Sequence, residues 1–114
     1  MTYGEDYFDL LVIGGGSAGF SAAIKGSELG GSVAIVEKDT IGGTCVNRGC
    51  VPSKFLLHVT NFFHEINENR FGLFGNRIQG FNMDEATSKK NVIVGEMRYK
   101  KYESLIPSKI GRAH

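Results

Sequence analysis

Apolar and polar positions divide the chain into a short strand–helix–strand start and a longer helical remainder. Phe8-Asp9-Leu10-Leu11-Val12-Ile13 is nearly all apolar and stops at three glycines. Its apolarity is continuous rather than alternating, which predicts a buried strand of a parallel sheet. Ser17 to Leu29 is rich in alanine and ends at Gly30-Gly31, the signature of a helix and its stop. Val33-Ala34-Ile35-Val36-Glu37 predicts a second buried strand. Strand, helix and strand in about 30 residues make a βαβ unit, expected to be right-handed.

Residues 38–44 read as a glycine-containing loop, and a second helix is predicted to begin near Cys45 and Cys50. Its apolar positions Val51, Phe55, Val59, Phe62 and Ile66 recur at helical spacing. Residues 70–80, with three glycines, read as loop. Asn82 followed by Glu85 resembles a capping box. It opens a third helix, expected to reach Leu105, with a weaker stripe of Ile93, Met97 and Leu105. Pro107 is expected to stop it.

The length narrows this picture. At 114 residues there is room for one compact domain and none for a multidomain enzyme. The sixteen glycines are about twice the usual share, yet only two prolines accompany them, so the chain is neither collagen-like nor a linker. A charged fraction of 22% and a hydrophobic fraction of 41% argue against disorder. Net charge is +1, so no bulk field draws nucleic acid or anionic lipid. The charge is uneven, with −4 over residues 1–40 and +5 over residues 41–114. Lys89, Lys90, Arg98, Lys100, Lys101 and Lys109 are expected to be a solvated helix face. The acidic start is no secretory leader and no stretch is apolar enough for a membrane span, so a cytoplasmic chain is expected. In that compartment two nearby cysteines suggest redox or metal chemistry.

Gly14-Gly15-Gly16-Ser17-Ala18-Gly19 fits G-x-G-x-x-G in the required context, directly after a strand and opening a helix. Gly14 suits the tight turn, Gly16 the approach of a pyrophosphate, and Gly19 close helix–strand packing. The helix start offers N–H groups and partial positive charge to phosphates. Glu37 ends the second strand eighteen residues after Gly19, where an acid hydrogen-bonds an adenosine ribose. The motif alone does not separate FAD from NAD.

Residues 42–54 read GGTCVNRGCVPSK. Cys45, Cys50, His58 and His64 could be taken as zinc ligands. On a helix, however, His58 would lie about 12 Å along the axis from Cys50, too far for one ion that needs ligands at about 2.0–2.3 Å. The histidines then read as ordinary helix residues. Two inert thiols are a second possibility. The third is a redox disulfide. A regular helix would hold the α-carbons beyond the usual range of roughly 4.4–6.8 Å, so bonding would distort the first turn, where Gly49 and Pro52 are tolerated. A strained disulfide is easily reduced, and a thiolate at a helix start has a lowered pKa. The local build favours the reversible pair.

GGTCVNRGCVPSK, after the GGGSAG loop and the Ile-Val-Glu strand end, resembles the FAD-dependent pyridine nucleotide–disulfide oxidoreductases of the glutathione reductase type. The resemblance implies an α/β fold with a Rossmann-like βαβ FAD-binding domain, here incomplete, residues 1–114 being its N-terminal part. It implies that Gly14, Gly16, Ser17, Ala18, Gly19 and Glu37 hold the ADP half of FAD, and that Gly43, Thr44 and Lys54 lie along the pyrophosphate and flavin. Cys50 would face the flavin and Cys45 would be the outer, substrate-facing thiol. Electrons would pass from NAD(P)H, the co-substrate, through FAD to the Cys45–Cys50 pair and on to a small-molecule or metal-ion substrate. Arg48 stands where many members carry a small apolar residue.

Ser53-Lys54 and the segment EMRYKKYESLI at residues 96–106 look most like the mercuric reductase branch, with lipoamide dehydrogenases next. Mercury(II) is a soft ion suited to two thiolates, so Cys45 and Cys50 would bind it transiently. The complete enzyme is expected to be a homodimer with further NAD(P)H and dimerisation domains and a catalytic His–Glu pair. The resemblance covers only the start of that pattern, so the rival expectation is a catalytically inactive FAD-binding fragment.

Overall fold

The computed structural model describes residues 7–75, 78–106 and the backbone of 111–112. Pro107, Lys109 and the terminal Ala113 and His114 lie outside the described residues. Strand β1 (Leu10–Ile13), helix α1 (Ser17–Glu28) and strand β2 (Val33–Val36) follow in order. β1 and β2 are parallel, with Leu10 opposite Val33 and Ile13 opposite Val36. A third strand, β3 (Gly111–Arg112), pairs in parallel with the other edge of β2, giving the order β1-β2-β3. At the lower end of the first pair, the Asp9 carboxylate accepts from the Ser32 N–H and hydroxyl at 2.8 and 2.9 Å. The Ser32 hydroxyl in turn accepts from the Asp9 N–H at 3.0 Å, which fixes where the two strands begin.

β2 is buried, as continuous apolarity predicts, but β1 is not. Leu10 and Val12 pack against the core, while Leu11 and Ile13 on the other face are 56% and 86% exposed. Continuous apolarity in β1 therefore corresponds to one packed face and one open face, because neighbouring side chains of a strand point to opposite sides.

The second helix of the sequence reading is two helices. α2 (Gly43–Asn47) is a single short turn, and α3 (Cys50–Glu68) begins at the second cysteine. Along α3, Val51, Phe55, Val59 and Ile66 are half-buried, but Phe62 is exposed and Phe63 turns inward instead. α4 (Met83–Lys101) is capped by the Asn82 side chain, which accepts from the N–H groups of Asp84 and Glu85 at 3.0 and 3.1 Å. It ends four residues before the expected Leu105, which falls in a short 3-10 turn, Glu103–Leu105. Its buried side is Ala86 and Val94, with Met97 packed on the core, whereas Ile93 is exposed.

Phe20, Ala23, Val33, Ile35, Val46 and Tyr102 form the core. Phe20 of α1 meets Tyr102, just beyond α4, edge to face with centroids 4.8 Å apart. That arrangement is one of the preferred aromatic geometries. Through it α1 and the end of α4 share one small core with Val46 of α2.

Candidate functional site

The glycine loop and the cysteine segment meet backbone to backbone. Gly14 turns the chain out of β1 with φ +104°, and its N–H donates to the Val36 carbonyl at 2.8 Å. A side chain on Gly19 would overlap the Gly14 carbonyl oxygen, so α1 can sit this close to the loop only with glycine there. Gly43 has φ +73°, and a Cβ on it would lie 2.9 Å from the Gly16 Cα. The Gly42 N–H donates to the Gly15 carbonyl at 2.8 Å.

Two cavities flank this contact. One, of about 350 Å³, is lined by Ile13, Gly14, Gly16, Ser17, Ala18, Gly19, Gly42, Gly43, Thr44 and Cys45. The other, of about 270 Å³, runs from Glu37 past Asp39 and Arg48 to Gly43 and Thr44. Gly43 and Thr44 border both, so the two lie end to end from the acid at the end of β2 to the first cysteine. The start of α1 carries no acid in its first turn and no side-chain cap, which leaves it open to an anion. A groove with this glycine-lined waist and helix start fits a dinucleotide.

Glu37 is held by the loop itself. Its Oε2 accepts from the Gly15 N–H at 2.7 Å and its Oε1 from the Asp39 N–H at 2.9 Å. These bonds, first of all that from Gly15, hold its carboxyl below the ordinary value.

Cys45 lies in α2 and Cys50 is the first residue of α3, both as exposed free thiols. The two cysteines do not share one regular helix, because the chain leaves α2 at Arg48-Gly49 before α3 begins at Cys50. A Cβ on Gly49 would come within 3.1 Å of the Thr44 carbonyl oxygen and 3.3 Å of the Cys45 Cα. The chain thus doubles back on itself and sets the two thiols side by side. A hydrogen bond with the Cys50 sulfur pushes the Cys45 pKa up, with smaller contributions from burial and from the Cys50 charge. This differs from the lowered thiol pKa expected at a helix start, because the hydrogen bond with the neighbouring sulfur is the largest influence on Cys45. The Lys54 charge acts on Cys45 in the opposite direction. Lys54 itself is exposed, one turn along α3 from Cys50.

Three polar residues of this region carry no role in the sequence reading. The Arg48 guanidinium pairs with the Asp39 carboxylate at 2.9 Å across the second cavity. Asn47 donates through Nδ2 to the carbonyls of Thr40, Ile41 and Gly43 at 3.3, 3.0 and 3.0 Å. Arg98 of α4 donates through Nη1 to Asn47 Oδ1 at 2.9 Å and through Nε to Glu103 at 3.0 Å. Arg98 is therefore not part of a solvated face, whereas Lys89 is, paired with Glu85 one turn away at 2.9 Å. The signal for Asn47 was its place inside the C-x4-C segment; for Arg98 the sequence offered only its place in the branch-like helix.

Residues 8–106 match the family model described as pyridine nucleotide-disulphide oxidoreductase. The chain belongs to that family. It is 45% identical over 104 residues to a mercuric reductase of Lysinibacillus sphaericus, covering 90% of this chain and 19% of that protein. A mercuric reductase of Staphylococcus aureus is 44% identical over 99 residues, 87% of this chain and 18% of that one. A dihydrolipoyl dehydrogenase of Trypanosoma brucei brucei is 49% identical over 82 residues, 69% of this chain and 17% of its own length. The chain thus spans less than a fifth of the length of these curated relatives. No helix among the described residues is long and apolar enough to cross a membrane.

Proposed function

We propose that these residues form the flavin-side half of an FAD-dependent NAD(P)H:disulfide oxidoreductase that reduces mercury(II). The observation that carries this is the contact of Gly43 with Gly16, which puts Cys45, with Cys50 beside it, at the end of a dinucleotide groove. The likeness to mercuric reductases over 87–90% of the chain supports mercury(II) as substrate. The likeness to dihydrolipoyl dehydrogenase supports a second reading, in which a small dithiol is oxidised at the same pair.

In this proposal Gly14, Gly16, Ser17, Ala18 and Gly19 hold the pyrophosphate at the start of α1, and Glu37 the ribose. Gly43, Thr44 and Lys54 border the rest of the cofactor. Bound FAD supplies two-electron transfer between the nicotinamide and the dithiol. Cys50 stands on the flavin side and Cys45 faces the substrate. Cys45 shares its proton with Cys50, and that proton must leave before its sulfur attacks a disulfide or binds a soft ion. The Lys54 charge favours the resulting thiolate. The complete enzyme acts in the cytoplasm as a homodimer.

Flavin binding tests the cofactor assignment. Titrated FAD is expected to lose fluorescence on the parent chain, and Gly16→Val, which fills the groove waist, to weaken binding at least tenfold. Equal affinity in Gly16→Val would sink the groove assignment. For substrate, the full-length gene product with NADPH is expected to release mercury vapour faster than it turns over lipoamide. The reverse order would favour the lipoamide reading.

A further inference from the structure

Asn47 ties the loop that precedes it to the end of α4, which is remote in sequence. Its amide nitrogen donates to the carbonyls of Thr40, Ile41 and Gly43, so it closes the loop that leads into α2. An amide has two hydrogens on nitrogen and none on oxygen. Three carbonyl acceptors on one side therefore require the oxygen to face the other way, toward a donor. Arg98, 51 residues later, supplies that donor at 2.9 Å. Arg98 is itself fixed, since its Nε donates to Glu103 at 3.0 Å, and its side chain is only 29% exposed. One turn further along the same side, Tyr102 is buried and reaches Gly42, where a Cβ would lie 3.5 Å from its ring and 3.3 Å from Asn47 Nδ2. The end of α4 thus grips the Gly42-Gly43 loop twice, once through a charge-assisted hydrogen bond and once through an aromatic ring.

The loop so held is the one that carries Cys45 and touches Gly16. We propose that Arg98 is a positioning residue for the Cys45–Cys50 pair, acting through the Asn47 amide. It touches neither sulfur. It fixes which way the amide points, the amide fixes the 40–43 loop against α2, and that fixes how closely the first cysteine faces the second. Loss of the relay lowers the effective concentration of one thiol at the other. The inference rests on the redox reading of the pair and adds to it the residues that set its geometry.

The test is the equilibrium of the pair with glutathione, read by intact mass and thiol titration. Oxidised glutathione is the oxidant: Cys45 and Cys50 lose two protons and two electrons and form one S–S bond, while glutathione disulfide is cleaved to two thiols. Arg98→Met keeps the aliphatic stem and removes the donor. It is expected to shift the equilibrium about tenfold toward the dithiol, the size of one charge-assisted hydrogen bond. Arg98→Lys, which keeps a charged donor, is expected to recover at least half of that shift. In an Asn47→Ala background Arg98→Met is expected to add nothing, because its effect runs through the amide. Circular dichroism of each variant establishes that it is folded. A parent-like equilibrium in folded Arg98→Met, or an equal shift with and without Asn47, overturns the proposal. If the parent forms no disulfide, the redox reading falls instead. The relay is then judged by the alkylation rate of Cys45, located by peptide mass. A change of at least threefold in Arg98→Met that vanishes in the Asn47→Ala background supports it, and no change overturns it.

Discussion

Both carboxylate oxygens of Glu37 accept from backbone N–H donors, one from Gly15 and one from Asp39. Its carboxyl is therefore depressed in the folded chain, chiefly by the Gly15 bond. A depressed acid stabilises the fold above its unfolded pKa, and that contribution is lost as pH falls through the folded value. Glu37→Gln cannot accept from both donors, so the parent is expected to melt higher than the variant from pH 7 down to about 5. Below that the two curves should converge, which thermal melts at stepped pH would register. A gap that does not change with pH would contradict the assignment. Cys45 has the opposite shift, because Cys50 holds its proton. In Cys50→Ala the pH midpoint for alkylation of Cys45 is expected to fall toward the ordinary thiol value. A midpoint that stays or rises would mean that the two sulfurs do not share the proton. The glycine loop, Glu37 and the two cysteines were legible as residues because each chemistry demands a residue type at a fixed spacing. Asn47 and Arg98 were not, because a contact across 51 residues leaves no local spacing to read.

The elements show where periodicity is informative and where chain geometry overrides it. The strand–helix–strand start was legible because glycines set its apolar runs apart, Gly14 to Gly16 after the first and Gly30-Gly31 before the second. The break between α2 and α3 was not. Val46, Val51 and Phe55 suit one continuous helix, and only the need of Gly49 to approach the Cys45 Cα reveals the turn. The same limit applies in β1, where an unbroken apolar run hides one exposed face. The contact between the glycine loop and α2 can be isolated by substitution. Gly43→Ala is strained by its φ of +73° and also meets the Gly16 Cα at 2.9 Å. Gly30→Ala is strained by a φ of +87° but meets nothing within 4 Å. Urea unfolding is expected to show Gly43→Ala less stable than Gly30→Ala by about 1–3 kcal/mol, the range for inserting a methyl into packed space. Equal costs would mean that the two loops do not touch in solution. At the far end of the molecule, Asn82→Ala is expected to lose about 1 kcal/mol by the same measurement, as an N-cap does. No loss would mean that the cap does not hold α4.

As a whole the chain is long and thin, with extents of 71 × 31 × 18 Å and a radius of gyration of 20.7 Å. A compact domain of this length would have a radius near ~13 Å. The core is a handful of residues around Phe20 and Tyr102, while Leu11, Ile13, Phe71 and Phe74 are exposed. Length and composition could not reveal this, since they bound how much surface is buried but not how the elements are arranged. In the proposed function these residues hold one half of an electron path. The 114 residues supplied with FAD, NADPH and mercury(II) are accordingly expected to bind flavin and give little or no turnover. Efficient flavin-dependent release of mercury vapour from the purified 114-residue chain would contradict this.

The proposed function stands or falls with Cys45 and Cys50 as a reversible redox pair. Equilibration of the chain in glutathione buffers, followed by intact mass and digestion, tests it most directly. A reversible pair gives a species lighter by two hydrogen atoms, a peptide linking Cys45 to Cys50, and full return of both thiols on reduction. Two thiols that stay free at every ratio, or that each take up glutathione separately, would contradict it.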